Sequence, residues 1–168
     1  TEVYPYTAGA TLIQSALYDG WEQWPDARFP SFQWAATGER LTRETFGKYR
    51  AQGGSVVAHG NTEEMLRVGI ADPLPFIASD GGRDFEDRPT HPRASGTFAR
   101  VLGHYVRDEQ VLTLPDAVRR MTLAPARRLE SRVPEMRDRG RLRAGAFADV
   151  TVFDPATVID RSTYTNAA

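Results

Sequence analysis

The sequence predicts an α/β protein with a parallel sheet, and three observations support that class. Short apolar runs occur at residues 55–59 and 74–78, and a segment with helical spacing of apolar residues lies between them. The links are short, so the order strand, helix, strand fits a βαβ unit. Amphipathic segments follow at residues 95–107 and 113–121. We therefore expect a parallel sheet with helices packed on it.

Composition limits the classes of function that the chain can serve. The 168 residues suffice for a domain with a real core, and the net charge of −1 argues against a dedicated nucleic-acid-binding protein. Without cysteine the chain has neither disulfides nor a thiol nucleophile. No apolar run approaches the ~20 residues of a membrane span, and the first residues do not resemble a signal peptide. We expect a cytoplasmic location and no membrane partner.

The first third of the chain predicts irregular structure around a few short elements. Residues 3–6 are typical of the end of a strand, residues 7–9 of a turn, and residues 11–18 of a short helix. An aromatic-rich segment follows at residues 21–34, punctuated by two prolines. It either covers a substrate or packs a long loop onto the body of the protein.

The βαβ unit has recognisable boundaries. Thr42 is a good N-cap for a helix that ends at Gly53-Gly54, and residues 55–59 form the first strand. Asn61 is expected to cap the next helix, with Glu64 in the capping-box position.

The second strand of the unit ends at a carboxylate. The apolar run at residues 74–78 is followed by Asp80 and two glycines. In parallel sheets and barrels the carboxyl ends of the strands carry the chemistry, so Asp80 is a candidate site residue. The alternative is an Asp-Gly turn with no function.

The last part of the chain changes in character near residue 132. Helices are expected from Ser95, from the N-cap Thr113 and around Pro125. Beyond them, residues 140–145 and 148–155 are typical of short strands, which predicts domains at 1–131 and 132–168. The arginines between 119 and 143 are interrupted by acids, which favours a solvated surface over a phosphate-binding face.

Two segments of this last part resemble a known superfamily. Residues 121–129 (MTLAPARRL) and 140–150 (GRLRAGAFADV) resemble the tail of the metal-dependent amidohydrolases. Within that superfamily, residues 4–9, Ser79-Asp80-Gly81, His91-Pro92-Arg93 and residues 103–107 resemble the D-aminoacylase (N-acyl-D-amino-acid deacylase) branch.

The resemblance implies a fold and a metal. It implies the last part of a TIM-type (β/α)₈ barrel followed by part of a small β-sandwich, with zinc at the carboxyl face of the barrel. Asp80 then matches the acid that binds the metal and handles the proton. Family members also bind zinc through a His-x-His pair and a Cys. This chain has neither, since its histidines are His59, His91 and His104.

Four further residues are expected to bind the substrate. Arg93 suits bidentate recognition of the carboxylate of an N-acyl amino acid, and His91 lies in the same motif. The alternative for this motif is a salt bridge that anchors a loop. Tyr4 and Tyr6 lie at the end of a strand, where they either bind the same carboxylate or pack. His59 is expected to be structural, and His104 to be exposed or hydrogen-bonded on the polar side of its helix.

The function that these observations favour is hydrolysis of N-acyl-D-amino acids or related amides, with metal-activated water and Asp80 as proton shuttle. A whole barrel needs ~250 residues, so we expect the chain to be the C-terminal portion of such an enzyme and to be inactive alone. Its partners would be the N-terminal portion and possible further copies of itself. The alternatives are a non-catalytic remnant or interaction partner, and a cyclic-amide hydrolase of the same superfamily.

Overall fold

The computed structural model describes residues 1–83 and 88–167 and divides into two compact units. The helical unit comprises residues 1–5, 64–79 and 96–160, and the sheet unit comprises residues 6–63, 80–83, 88–95 and 161–167. In the part of the chain described, no helix is both long and apolar enough to cross a membrane. The strands are β1 (Glu2–Val3), β2 (Ala8–Leu12), β3 (Phe32–Trp34), β4 (Ser55–His59) and β5 (Phe76–Ile77). The helices are α1 (Arg43–Gln52), α2 (Glu63–Ala71), α3 (Arg93–Arg100), α4 (Leu114–Met121) and α5 (Leu123–Leu129).

The sheet unit is built on an antiparallel sheet with the order β2-β4-β3. The central strand β4 has the bounds that the sequence predicts, and α1 begins after Thr42 and ends at Gly53, also as predicted. The Thr42 hydroxyl accepts from the Thr45 amide, which satisfies one of the free donors at the start of the helix. The two ends of α1 are predictable because each depends on residues close in sequence.

Aromatic side chains form the core of this unit. Trp24 stacks on Phe32 with ring centroids 5.7 Å apart, and Trp34 stacks on Tyr49 at 4.2 Å. Gly54 is required beside them, because its φ is 135° and a Cβ there would lie 2.5 Å from Trp34. The described aromatic segment therefore packs onto the sheet, which is the second of the two alternatives for it.

Two predictions for the sheet are wrong. Residues 8–12 form β2 rather than a turn and the start of a helix, and only residues 16–18 are helical, as a 3₁₀ turn. The strand forms because all five of its residues pair with β4, and this long-range pairing overrides weak local preferences. The predicted βαβ pairing also fails, since β4 pairs antiparallel with β2 and β3 whereas β5 pairs parallel with β1. Apolar patterning identifies a strand but not its neighbour.

The helical unit packs its helices on the β1–β5 pair. α3 continues into a π-helical segment, Val101–Asp108, in which Val101 and Tyr105 are fully buried, as the predicted apolar stripe requires. Ile77 of β5 packs in the same cluster as Val101 and Ala117. Helix α4 begins after its predicted cap, Thr113, whose hydroxyl accepts from the Asp116 amide.

Other local predictions for this unit are corrected. Helix α2 begins at Glu63, so Thr62 rather than Asn61 precedes its first residue. Among the described residues beyond 132 there is a 3₁₀ helix, Pro134–Asp138, but no strand. Residues 140–145 and 148–155 have no ladder partner there, and Leu142 and Val152 are 99% and 91% exposed. A strand needs a neighbour for its hydrogen bonds, which explains why the pattern alone does not produce one.

A buried arginine on α4 forms hydrogen bonds with two other segments of this unit. Arg120 is 1% exposed, and its Nη1 and Nε donate to the carbonyl oxygens of Ile70 at 2.6 Å and Pro75 at 2.9 Å. These carbonyls lie at the end of α2 and just before β5. Asp116, one turn earlier on α4, lies 3.7 Å from the guanidinium and offsets its charge.

We expect Arg120→Ala to lower the free energy of unfolding by about 3 kcal/mol, because two buried carbonyls lose their donor. Arg119→Ala is the matched control. Arg119 pairs with the same Asp116 but is exposed, so its loss should cost no more than roughly 0.5 kcal/mol. Denaturant unfolding followed by circular dichroism checks both values. Equal losses in the two variants would contradict the structural role of Arg120.

Candidate functional site

The structure brings four of the five predicted site residues into one unit. Tyr6, Asp80, His91 and Arg93 lie in the sheet unit, whereas Tyr4 lies in the helical unit. Tyr6, His91 and Arg93 are buried, and Asp80 is exposed.

Asp80 carries its carboxylate on a backbone in the left-handed conformation. It lies three residues after β5, its φ is 46°, and its side chain is 63% exposed. Asp is one of the few residues that adopt this conformation readily. The Asp80 Oδ2 atom lies 2.9 Å from Arg93 Nη2, so the exposed carboxylate is held by a buried guanidinium.

Arg93, the first residue of α3, links several segments of the sheet unit. Its Nη2 also donates to the Ala10 carbonyl oxygen of β2 at 3.1 Å, and its backbone amide donates to His91 Nδ1 at 3.1 Å. Only 6% of its side chain is exposed. The observed contacts are those of the anchoring alternative, and recognition of a substrate carboxylate by Arg93 stays a prediction.

His91 is fully buried and neutral. Burial and then the charge of Arg93 lower the pKa of His91 from 6.5 to about 3, against a hydrogen bond with the Ala8 backbone that raises it. Because Nδ1 accepts from the Arg93 amide, the ring proton of the neutral form is on Nε2. Contact between His91 and a substrate would require this arrangement to open.

Sequence patterns did not identify Tyr164, which joins three of these aromatic rings. Its ring centroid lies 4.9 Å from that of His59, 5.1 Å from that of His91 and 6.4 Å from that of Tyr6. The Tyr164 hydroxyl lies 3.2 Å from Thr7 Oγ1. Nothing near Tyr164 in the sequence indicates these contacts, since they join residues that are distant along the chain.

A second missed residue, Gln33, carries a signal in the sequence. It is a polar residue between two aromatic residues of a buried strand, and it is 3% exposed. Its Nε2 donates to the Tyr164 carbonyl oxygen at 2.7 Å, and its Oε1 lies 3.0 Å from His59 Nε2. Burial and the nearby Arg40 charge lower the pKa of His59. His59 is thus held in a hydrogen-bonded ring cluster, in keeping with its expected structural role.

His104 lies in the helical unit and also has a polar neighbour. Its Nε2 is 3.3 Å from Glu109, which in turn receives two hydrogen bonds from Arg67, at 2.6 and 2.7 Å. This pairing agrees with the expectation that His104 is hydrogen-bonded on the surface.

The described residues do not assemble a metal site by themselves. Over residues 1–83 and 88–167, no group of three or more His, Asp or Glu side chains is placed to hold a metal ion. Asp80 contributes one carboxylate, whereas a catalytic zinc needs about three protein ligands. The remaining ligands would have to come from outside these residues.

The sequence of the chain matches a family of known proteins. The model of the amidohydrolase family matches residues 27–167, and the chain belongs to this family. Within the family it belongs to the D-aminoacylase branch. An N-acyl-D-glutamate deacylase and a D-aminoacylase, both from Alcaligenes xylosoxydans xylosoxydans, are 51% and 36% identical to it over 97% of this chain. The chain spans about a third of the length of these relatives, 33% and 34%.

Solved structures agree with this assignment. The N-acyl-D-glutamate deacylase of Bordetella bronchiseptica, complexed with zinc and a phosphonate mimic of the tetrahedral intermediate, superposes with a TM-score of 0.76 at 29% identity. A D-aminoacylase structure superposes with a TM-score of 0.71 at 31% identity. In both cases the match covers 99% of this chain and 35% of the solved chain.

Proposed function

We propose that the chain is the C-terminal third of a zinc-dependent amidohydrolase that deacylates N-acyl-D-amino acids, with N-acyl-D-glutamate as its best substrate. The observation that carries the proposal is the exposed Asp80 carboxylate, three residues after β5, held by the buried Arg93 guanidinium. The preference for D-glutamate is supported by the relative with 51% identity, which is an N-acyl-D-glutamate deacylase.

The same proposal covers the architecture. Residues 1–131 would complete the end of a (β/α)₈ barrel, and residues 132–168 would supply part of a β-sandwich. The parallel pairing of β1 with β5 supports the first assignment, because barrel strands are parallel. The exposed apolar side chains of Leu142 and Val152 support the second, because a sandwich strand buries alternate residues against another sheet.

Asp80 is proposed to move the proton in the reaction. As an exposed carboxylate it can accept a proton from the attacking water and return that proton to the departing amine, a role worth about 10²–10⁴-fold in rate. Arg93, whose amide donates to His91, fixes the position of Asp80. Tyr4, Tyr6, His91 and Arg93 are each proposed as residues that bind the substrate carboxylate. Arg93 would then give up part of its ion pair with Asp80 in order to bind the substrate carboxylate.

The metal is proposed on the chemistry of the relatives, one of which is solved with zinc. When bound, zinc polarises an amide carbonyl and acidifies water. Asp80 is the one predicted ligand among the described residues, and these residues alone do not fit a zinc site.

The test is to purify the complete protein and to measure kcat/KM for N-acetyl derivatives of D-glutamate, D-aspartate, D-leucine and L-glutamate. We expect N-acetyl-D-glutamate to be preferred and the L-isomer to be inert. The present 168 residues, expressed alone, serve as the control and should show no turnover. Lack of turnover by the complete protein would favour the non-catalytic remnant. Turnover of a cyclic amide instead would favour a cyclic-amide hydrolase of the same superfamily.

A further inference from the structure

An arginine at the end of α3 reaches the backbone beside Tyr4. The Nε atom of Arg100 donates to the Pro5 carbonyl oxygen at 2.8 Å. Both residues belong to the helical unit, and Pro5 directly follows Tyr4. The side chain of Arg100 is 23% exposed, so this hydrogen bond is partly shielded from water.

This hydrogen bond follows the backbone hydrogen bonds of β1, but its donor is a side chain. The carbonyl oxygens of Thr1 and Val3 accept from the amides of Phe76 and Ala78, at 3.0 and 3.1 Å. Alternate carbonyls of a strand face the same neighbour, and Pro5 carries the next one in this series. The backbone following β5 leaves the extended conformation at Asp80, where φ is 46°. Arg100 thus supplies a side-chain donor at the point where the ladder stops.

A buried carboxylate holds Arg100 from the other side. Asp160 Oδ1 lies 3.7 Å from Arg100 Nη1, and the Asp160 side chain is only 5% exposed. A carboxylate so well buried is stabilised by a fixed cation, and the cation is in turn restricted by it.

The segment that contains Asp160 also contacts the π-helical segment that continues α3. Arg107 Nη1 donates to the Val158 carbonyl oxygen at 2.6 Å. At Gly103 a Cβ would lie 2.3 Å from that same oxygen, so only glycine permits this close approach. Gly103 and Arg107 thus both lie against Val158, two residues before Asp160. The position of Asp160 is consequently well defined.

We propose that Arg100 is a positioning residue for Tyr4: it fixes the backbone of Tyr4-Pro5 where the β1 ladder ends, and Asp160 fixes Arg100. The functional consequence rests on the proposed function, in which Tyr4 faces the substrate carboxylate. The segment around residue 160 is thereby linked to substrate binding through two side chains.

Arg100→Lys in the complete protein tests the proposal. Lysine keeps the charge beside Asp160 but lacks the planar fork that reaches Asp160 and Pro5 together. We expect KM for N-acetyl-D-glutamate to rise about tenfold with kcat changed less than about twofold, the pattern for loss of ground-state binding. Asp160→Asn should also raise KM, because it removes the carboxylate that holds Arg100. Arg119→Lys is the matched control and should leave KM unchanged, because Arg119 lies on α4 and pairs with Asp116.

A second measurement does not depend on activity. Incorporation of 3-fluorotyrosine, with Tyr4→Phe to assign the signal, reports the surroundings of Tyr4 by ¹⁹F NMR. A shift of the Tyr4 signal in Arg100→Lys but not in Arg119→Lys supports the proposal even if the protein hydrolyses none of the N-acyl amino acids. An unchanged Tyr4 signal in Arg100→Lys, or equal shifts in both variants, overturns it.

Discussion

Replacing Asp80 by Asn in the complete protein should lower kcat by about 10²–10⁴-fold and leave the fold intact. The amide has the size of the carboxylate but cannot accept a proton from water. Asn also tolerates the left-handed conformation at this position, where φ is 46°, so the substitution introduces no backbone strain. Turnover, metal content and melting temperature should be measured on the same preparation.

The substitution also removes an ion pair, and Asp19→Asn controls for that loss. Asp19 is an exposed carboxylate, 68% accessible, paired with the largely buried Arg50, whose Nη1 donates to the Ile13 carbonyl oxygen at 2.7 Å. This arrangement matches that of Asp80 and Arg93 within the same unit. Both variants should therefore lose similar stability, and only Asp80→Asn should lose turnover. Normal turnover in Asp80→Asn with full metal content would rule out Asp80 as the proton shuttle.

The parts of the fold that sequence predicts are those fixed by neighbouring residues. Helix α1 has its cap at Thr42 and its stop at Gly53 because a hydroxyl and a positive φ act within one turn of the chain. Strand β4 was also predicted, but its partners β2 and β3 were not. Their pairing depends on residues more than 20 positions away, which no local pattern encodes.

The candidate site divides in the same way. The chemistry of Asp80 and of the His91-Pro92-Arg93 motif is visible in the sequence, and both lie in the sheet unit. The contacts of Tyr164 with Gln33 and Thr7 join residues 131 and 157 positions apart, and nothing local predicts them. The roles of these residues toward a substrate remain predictions, because they depend on what else completes the site.

His91 should make the sheet unit sensitive to acid. The unfolded chain takes up a proton on this residue near pH 6.5, whereas the folded chain does so only near its pKa of about 3. The stability contributed by the neutral, buried ring is therefore fully present above pH 6.5 and is lost as the pH falls toward 3. The slope should reach about 1.4 kcal/mol per pH unit within this window and level off below it.

His91→Asn isolates this contribution, because the amide oxygen can still accept from the Arg93 amide but does not titrate. We expect the variant to be less stable than the parent at pH 8 and to show a shallower loss of stability between pH 6.5 and 3. Val57→Ala, which shortens a fully buried side chain of β4, should lower stability at every pH without changing the slope. Denaturant unfolding at several pH values measures the slopes, and ¹⁵N NMR of the histidine rings should show the Nε2–H tautomer of His91 down to about pH 4. Equal slopes in the parent and in His91→Asn would show that another titrating group, and not His91, causes the loss of stability in acid.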